Sequence, residues 1–196
     1  YYPAVERRLV LSPLANDRTY NSWNDTGIMS YTQLPWGKAA AYFVQTGSSG
    51  GSPGSRLELN LSDGLTLGLS AAARGDTACS YLAGDLAMAQ GGTKLFGQYV
   101  SERSANTNAT GAFYVQAEQE LEGGLFGAAR YDYYSPKYDV DANSALDDDV
   151  ARLSLGGGIA VDENVQLQVA YHWNLEASNA TAVGNDLLTL QTIVSF

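Results

Sequence analysis

From Arg56 onward the chain is written in twos. RLELNLS puts Leu57, Leu59 and Leu61 on one side of an extended backbone and Arg56, Glu58 and Asn60 on the other. After Ser62-Asp63-Gly64 it returns as LTLGLSA, with Leu65, Leu67 and Leu69 sharing a face. Alternation on both sides of a glycine-bearing turn is the mark of a β-hairpin. The unit recurs with different residues around Gln90-Gly91-Gly92, Glu122-Gly123-Gly124 and Asp162-Glu163-Asn164. Upstream, TGIMSYTQ and KAAAYFVQ flank Pro35-Trp36-Gly37, and a weaker strand is predicted over Val5 to Leu11.

Every second connection is short. Those between, TGSSGGSPGS, SERSANTNAT, SPKYDVDANSALDDD and EASNATAVGN, are longer and polar. About twelve strands, roughly 10 to 14, would put both termini and all the tight turns on one rim and the long loops on the other, as in outer-membrane barrels. The predicted fold is therefore all-β: one transmembrane antiparallel up-and-down β-barrel over residues 1–196.

Residue type decides which face meets lipid. Val165, Leu167, Val169, Tyr171, Trp173 and Leu175 share one face of their strand, against Gln166, Gln168, Ala170, His172 and Asn174 on the other. Leu153, Leu155, Gly157, Ile159 and Val161 likewise oppose Arg152, Ser154, Gly156, Gly158 and Ala160. A charge at the lipid midplane costs about 2 to 4 kcal/mol, so the polar sets are expected to point inward. The predicted pore-lining residues are Arg56, Glu58, Asn60, Asp85, Lys94, Gln98, Glu102, Glu118, Arg130, Asp132, Arg152, Gln166, Gln168 and His172. Tyr42, Tyr99, Tyr131, Tyr133, Tyr171 and Trp173 stand near strand ends and are expected to form an interfacial aromatic girdle. A soluble sandwich or lipocalin-like barrel would reverse the faces. About twelve strands in one soluble sheet is unusual and counts against it.

Composition narrows the function classes. A net charge of -10 and a pI near 4.3 leave no Lys/Arg cluster for nucleic acid. Cys79 is alone, which excludes an internal disulfide and zinc-like spacing; it is expected to pack. No run approaches the roughly eighteen apolar residues of a membrane helix. YYPAVERRLV lacks a basic start followed by an apolar core, so the chain is expected to be either mature or without its natural beginning.

Candidate chemistry is sparse. His172, the single histidine, allows a pairing with a serine facing the same way, but a pore-lining role is the favoured reading. Asp139, Asp141 and Asn143 start like a calcium loop, which then fails at Ser144 and Val150, where the glycine and the bidentate glutamate belong. Glu118 and Glu120 share a face, as a polar lumen requires. Gly156 to Gly158 read as a bend or a close strand approach. No enzyme activity, metal or cofactor is expected.

Together, Glu6-Arg7, DTGIMSYTQL, AAYFVQTG, SRLELNLSDGLTLGLSAA, KLFGQYVSE, ARYDYYSP, DDDVARLSLGGGIAVDENVQLQVAYHWN and DLLTLQTIVSF carry a resemblance in their order. The chain resembles the phosphate-selective porin O and P superfamily of Gram-negative outer membranes. That resemblance implies roughly sixteen to eighteen strands and a homo-oligomer, so this chain is expected to be either a reduced barrel or a fragment that starts where the first strands of such a barrel have already passed. Phosphate selectivity is not carried over, because acidic residues outnumber basic ones in the inward set. The terminal Phe196 resembles the signal read by barrel-assembly machinery. The expected function is passive diffusion of small polar solutes or ions with weak cation preference, among outer-membrane lipid and lipopolysaccharide. The alternatives are a structural sleeve for a partner chain and, through His172, a hydrolase.

Overall fold

The computed structural model describes residues 9, 13–17, 26–46, 50–75, 79–104, 107–135, 149–176 and 186–194. Eleven strands form one sheet in chain order, each antiparallel to the next. They are β1 (Thr26–Leu34), β2 (Gly37–Thr46), β3 (Gly50–Ser62), β4 (Leu65–Arg74), β5 (Cys79–Gln90), β6 (Thr93–Ser104), β7 (Thr107–Glu120), β8 (Leu125–Ser135), β9 (Val150–Ala160), β10 (Val165–Glu176) and β11 (Leu187–Val194). One helical turn, α1 (Leu14–Asp17), precedes them.

The turns predicted from glycine and aspartate form as read. Gly91 and Gly92 both take positive φ, 58° and 80°, which a two-residue hairpin demands and a side chain resists. At the β9–β10 turn a carboxylate replaces glycine: Asp162 Oδ1 accepts from the amides of Asn164 and Val165, at 2.7 and 2.8 Å. All these turns fall on one rim. The opposite rim differs from expectation, because TGSSGGSPGS and SERSANTNAT are mostly strand. β3 already begins at Gly50, and only residues 105–106 separate β6 from β7 among the described elements. Serine, threonine and glycine read as loop formers, but ladder bonds to a formed neighbour outweigh that weak local preference.

The pleat sorts side chains as the alternation requires. Ile28, Phe43, Leu82, Val115 and Leu190 stand exposed on one face, with Ile28 at 81%. On the other, Gln116, Arg130, Asp132, Ser154, Gln168 and His172 are buried. Among the described residues no second sheet covers the polar face, which is enclosed by the sheet's own curl and by Leu9, Leu14 and Ala15. The polar face is the inner one. The aliphatic side chains do not pack into a dry core, contrary to the soluble alternative.

The strand predicted over Val5 to Leu11 is not part of the sheet at Leu9, the one residue of that stretch within the described set. Leu9 lies in a bend, buried on the inner face against Ala128 and Ala170. The local pattern reads as strand, yet Leu9 answers to a small apolar seat inside the curl. β1 and β11 are therefore the sheet's edges, with no ladder between them among the described residues. Since eleven is odd, they run in the same direction, and joining them antiparallel takes an odd number of strands between.

The triple glycine is a close approach and not a bend, since β9 runs through it unbroken. A Cβ on Gly156 would stand 2.8 Å from Leu9 Cδ2, and one on Gly158 would meet the Leu167 carbonyl and stand 2.5 Å from the Phe126 ring. Gly127, by contrast, has nothing within 4 Å of an added Cβ. Gly158→Val should therefore lower unfolding stability by about 1 to 3 kcal/mol. Gly127→Ala should stay within about 1 kcal/mol of the parent. Denaturant unfolding in lipid vesicles, followed by tryptophan fluorescence, measures both.

Candidate functional site

Every residue predicted to line a pore lies on the inner face. One cross-strand row, read through the registers, runs Lys38, Glu58, Gly68, Asp85, Gln98, Tyr114, Asp132, Arg152, Asn174. A second runs Phe96, Gln116, Arg130, Ser154, His172. Residues far apart in sequence thus become neighbours through hairpin register alone.

The first half of the face, on β2 to β6, is partly open. Arg56 donates from both terminal nitrogens to Asp85, at 2.6 and 2.8 Å, and also to Ser70 Oγ at 3.1 Å; Glu58 is 3.5 Å away. Gly68 makes this possible. It separates β3 from β5 in the row, and a Cβ there would run into Arg56 and Asp85. The Arg56 and Asp85 side chains keep 37% and 24% exposure, so the pair sits in water and holds little stability. Lys94 reaches Glu120 at 3.0 Å, and the Tyr81 hydroxyl stands 3.5 Å from Glu102. Asn60 lies on the same face near the turn rim.

The second half, on β7 to β11, is closed. Asp132 takes Arg130 Nε at 2.9 Å and Arg152 Nε at 3.4 Å, all three buried. Arg130 Nη1 donates to Gln116 Oε1 at 3.3 Å, and Gln116 Nε2 to Glu118 Oε1 at 2.6 Å. Two guanidiniums and two carboxylates are thereby linked in one network. His172 places Nδ1 2.8 Å from Ser154 Oγ and Nε2 3.3 Å from Thr189 Oγ1, and Thr189 donates onward to the Ala170 carbonyl. The serine–histidine pairing allowed by the sequence thus exists. Both side chains are at 0% exposure and a hydroxyl stands where a triad places its carboxylate, so among the described residues the pair is a link in a buried network. Gln168 is buried farther along the same strand as His172, and Gln166 is half-buried toward the turn rim.

What closes this half is the N-terminal segment. The Leu14 amide donates to Asp132 Oδ1 at 3.0 Å. Ala15 packs on Val100 and Ala112, and Leu9 on Ala128 and Ala170. Sequence reasoning missed this segment and its seat. The available signal was a set of small apolar residues, Ala112, Ala128, Gly156 and Ala170, at inward positions where a wetted lumen wants polar ones.

Most of the aromatic residues predicted for a girdle lie on the outer face. Tyr99, Tyr131, Tyr133, Tyr171 and Trp173 face outward toward the loop rim, with Tyr171 and Trp173 edge-to-face at 4.4 Å. Tyr42 does not join them. It pairs with Gly54 on the inner face, where a Cβ would meet its ring, because strand parity and not nearness to a strand end fixes the side. Residues 139–148 of the acidic loop and Phe196 lie outside the described residues. Among the described residues no group of His, Cys, Asp and Glu could hold a metal ion, and no helix is long and apolar enough to cross a membrane.

No family model and no curated protein matches the chain. Among solved structures, an anion-selective porin from Comamonas acidovorans matches at TM-score 0.59 and 16% identity, over 87% of this chain and 55% of that one. OccAB3 of Acinetobacter baumannii matches at TM-score 0.57 and 12% identity, over 85% of this chain and 53% of that one. The fold is that of Gram-negative outer-membrane porin barrels, and the chain spans about half the length of each. These likenesses assign no particular porin family.

Truncating Asp132 removes the carboxylate that two buried guanidiniums share. Asp132→Ala should therefore cost about 3 to 5 kcal/mol, against about 0 to 1 kcal/mol for Asp85→Ala in its half-exposed pair. Unfolding in vesicles separates the two.

Proposed function

We propose that the chain builds the wall of a water-filled passage across a bacterial outer membrane, through which small polar solutes or ions diffuse passively. The observation that supports this best is the inversion of faces: aliphatic side chains stand exposed outside while charged and amide side chains are enclosed. Monomeric soluble proteins rarely expose contiguous apolar patches beyond a few hundred Å², and here the patch runs across the strands of a whole sheet. In hydrocarbon the same surface carries no penalty. Tight turns then face the periplasm and the longer connections the outside.

Passage would follow β2 to β6, where Arg56, Glu58, Asp85, Lys94 and Glu102 keep contact with solvent. Their selectivity is weak because most are paired. Arg56 sits between two carboxylates and Lys94 against one, which tilts the balance slightly toward cations. The anion selectivity in the name of the Comamonas porin is not transferred, because the two buried arginines here are matched by Asp132 and Glu118.

One observation favours the sleeve reading. The segment holding Leu9 and α1 occupies the β7–β10 half of the interior, as a plug or partner chain would. Planar-bilayer recording decides between them. A passage gives small steps whose reversal potential under a salt gradient is weakly cationic, and Asp85→Asn moves that potential toward anions. Removing residues 1–17 should raise conductance about twofold or more. Absence of steps from both the parent and the shortened chain supports the sleeve.

A further inference from the structure

The outer face carries a shallow groove of about 470 Å³ across β4 to β7, lined by Leu67, Gly84, Leu86, Gly97, Tyr99 and Val115. Its floor is made by two glycines that the backbone does not require. Neither has positive φ, and an added Cβ would find its nearest neighbour at 3.9 Å for Gly84 and 3.8 Å for Gly97. Glycine weakens a strand and often marks a site of close approach; here there is room for a side chain and none is present. The Tyr99 ring leans the other way, over Gly111, where a Cβ would lie 3.5 Å from its hydroxyl, and so walls the groove without filling it.

Farther along β6, on the same face, Arg103 is exposed opposite Ser80, and among the described residues no ion pair holds its guanidinium. Arg103 stands six positions beyond Gly97. At about 3.3 Å per residue and a tilt of about 45° that is about 14 Å along the membrane normal, close to half of an approximately 30 Å hydrocarbon core. A cation thus stands one leaflet's depth above an apolar furrow. We propose that this groove binds one phosphate-bearing anionic lipid of the leaflet at the loop rim, an acyl chain lying over Gly84 and Gly97 and the phosphate meeting Arg103. The inference rests on the membrane reading above. Charge complementarity selects a lipid over a second copy of the chain, whose matching face would bring a like charge.

The test is native mass spectrometry of the whole chain released from vesicles of equimolar phosphatidylglycerol and phosphatidylcholine, after co-flotation has shown insertion. The parent should retain one lipid, phosphatidylglycerol by about fivefold. Gly97→Leu should lose the retained lipid of either kind, whereas Arg103→Gln should keep a lipid and lose the preference. Unchanged retention in Gly97→Leu, or no preference in the inserted parent, overturns the groove and leaves the membrane reading standing. A parent released chiefly as a dimer that Gly97→Leu dissociates overturns it in favour of a second copy. Failure of the parent to float with vesicles removes the membrane reading and the groove together.

Discussion

Register is what everything else in this molecule stands on. Antiparallel ladders fix which residues lie opposite one another, and the two-residue pleat turns that pairing into two unlike faces. A slip of one residue in β8 alone would carry Arg130 and Asp132 to the side where Leu153 and Leu155 lie, and Tyr131 inward. The irregularities that do occur, between Asn60 and Ser62 and between Glu102 and Ser104, sit at strand ends, where a shift disturbs few pairs. The long middle stretches are unbroken, and across them the inward residues of neighbouring strands stay in row from β2 to β10.

On that single inner face two electrostatic regimes coexist. Around Arg56 and Asp85 the charges are half-exposed, so water screens them and each pair adds little to stability. Around Asp132 the same kinds of side chain are buried, and their desolvation is offset only by dense mutual hydrogen bonding. The difference lies in the cover. Leu9, Leu14 and Ala15 lie over β6 to β10, and the small residues beneath them give depth for that cover without opening the wall. Breadth of the interior and burial of the charge network are therefore linked, since the segment that narrows one protects the other.

The exposed aliphatic face follows the same reasoning in reverse. Among the described residues its aliphatic side chains stand uncovered, and outward glycines such as Gly84, Gly97 and Gly127 leave depressions between them. The aromatic residues gather toward the loop rim, where Tyr133 and Tyr171 also reach Asp149 and Asp186 with their hydroxyls.

Strand pattern, hairpin turns and the sidedness of Arg56, Asp132, Gln168 and His172 were legible in the sequence because each depends on neighbours one to four residues away, the range over which pleat and turn chemistry act. Loop lengths at 46–55 and 101–110 were misread because strand there rests on partners already in place and not on local propensity. The side taken by Tyr42 was misread for want of counting parity, a local fact overlooked. The seat of Leu9 and α1, the split of one polar face into a wet half and a dry half, and the conversion of His172 and Ser154 into a closed network belong to the tertiary structure alone. They require residues more than a hundred positions apart, such as Leu14 and Asp132, to meet across the curl of the sheet, and no periodicity along the chain encodes that distance.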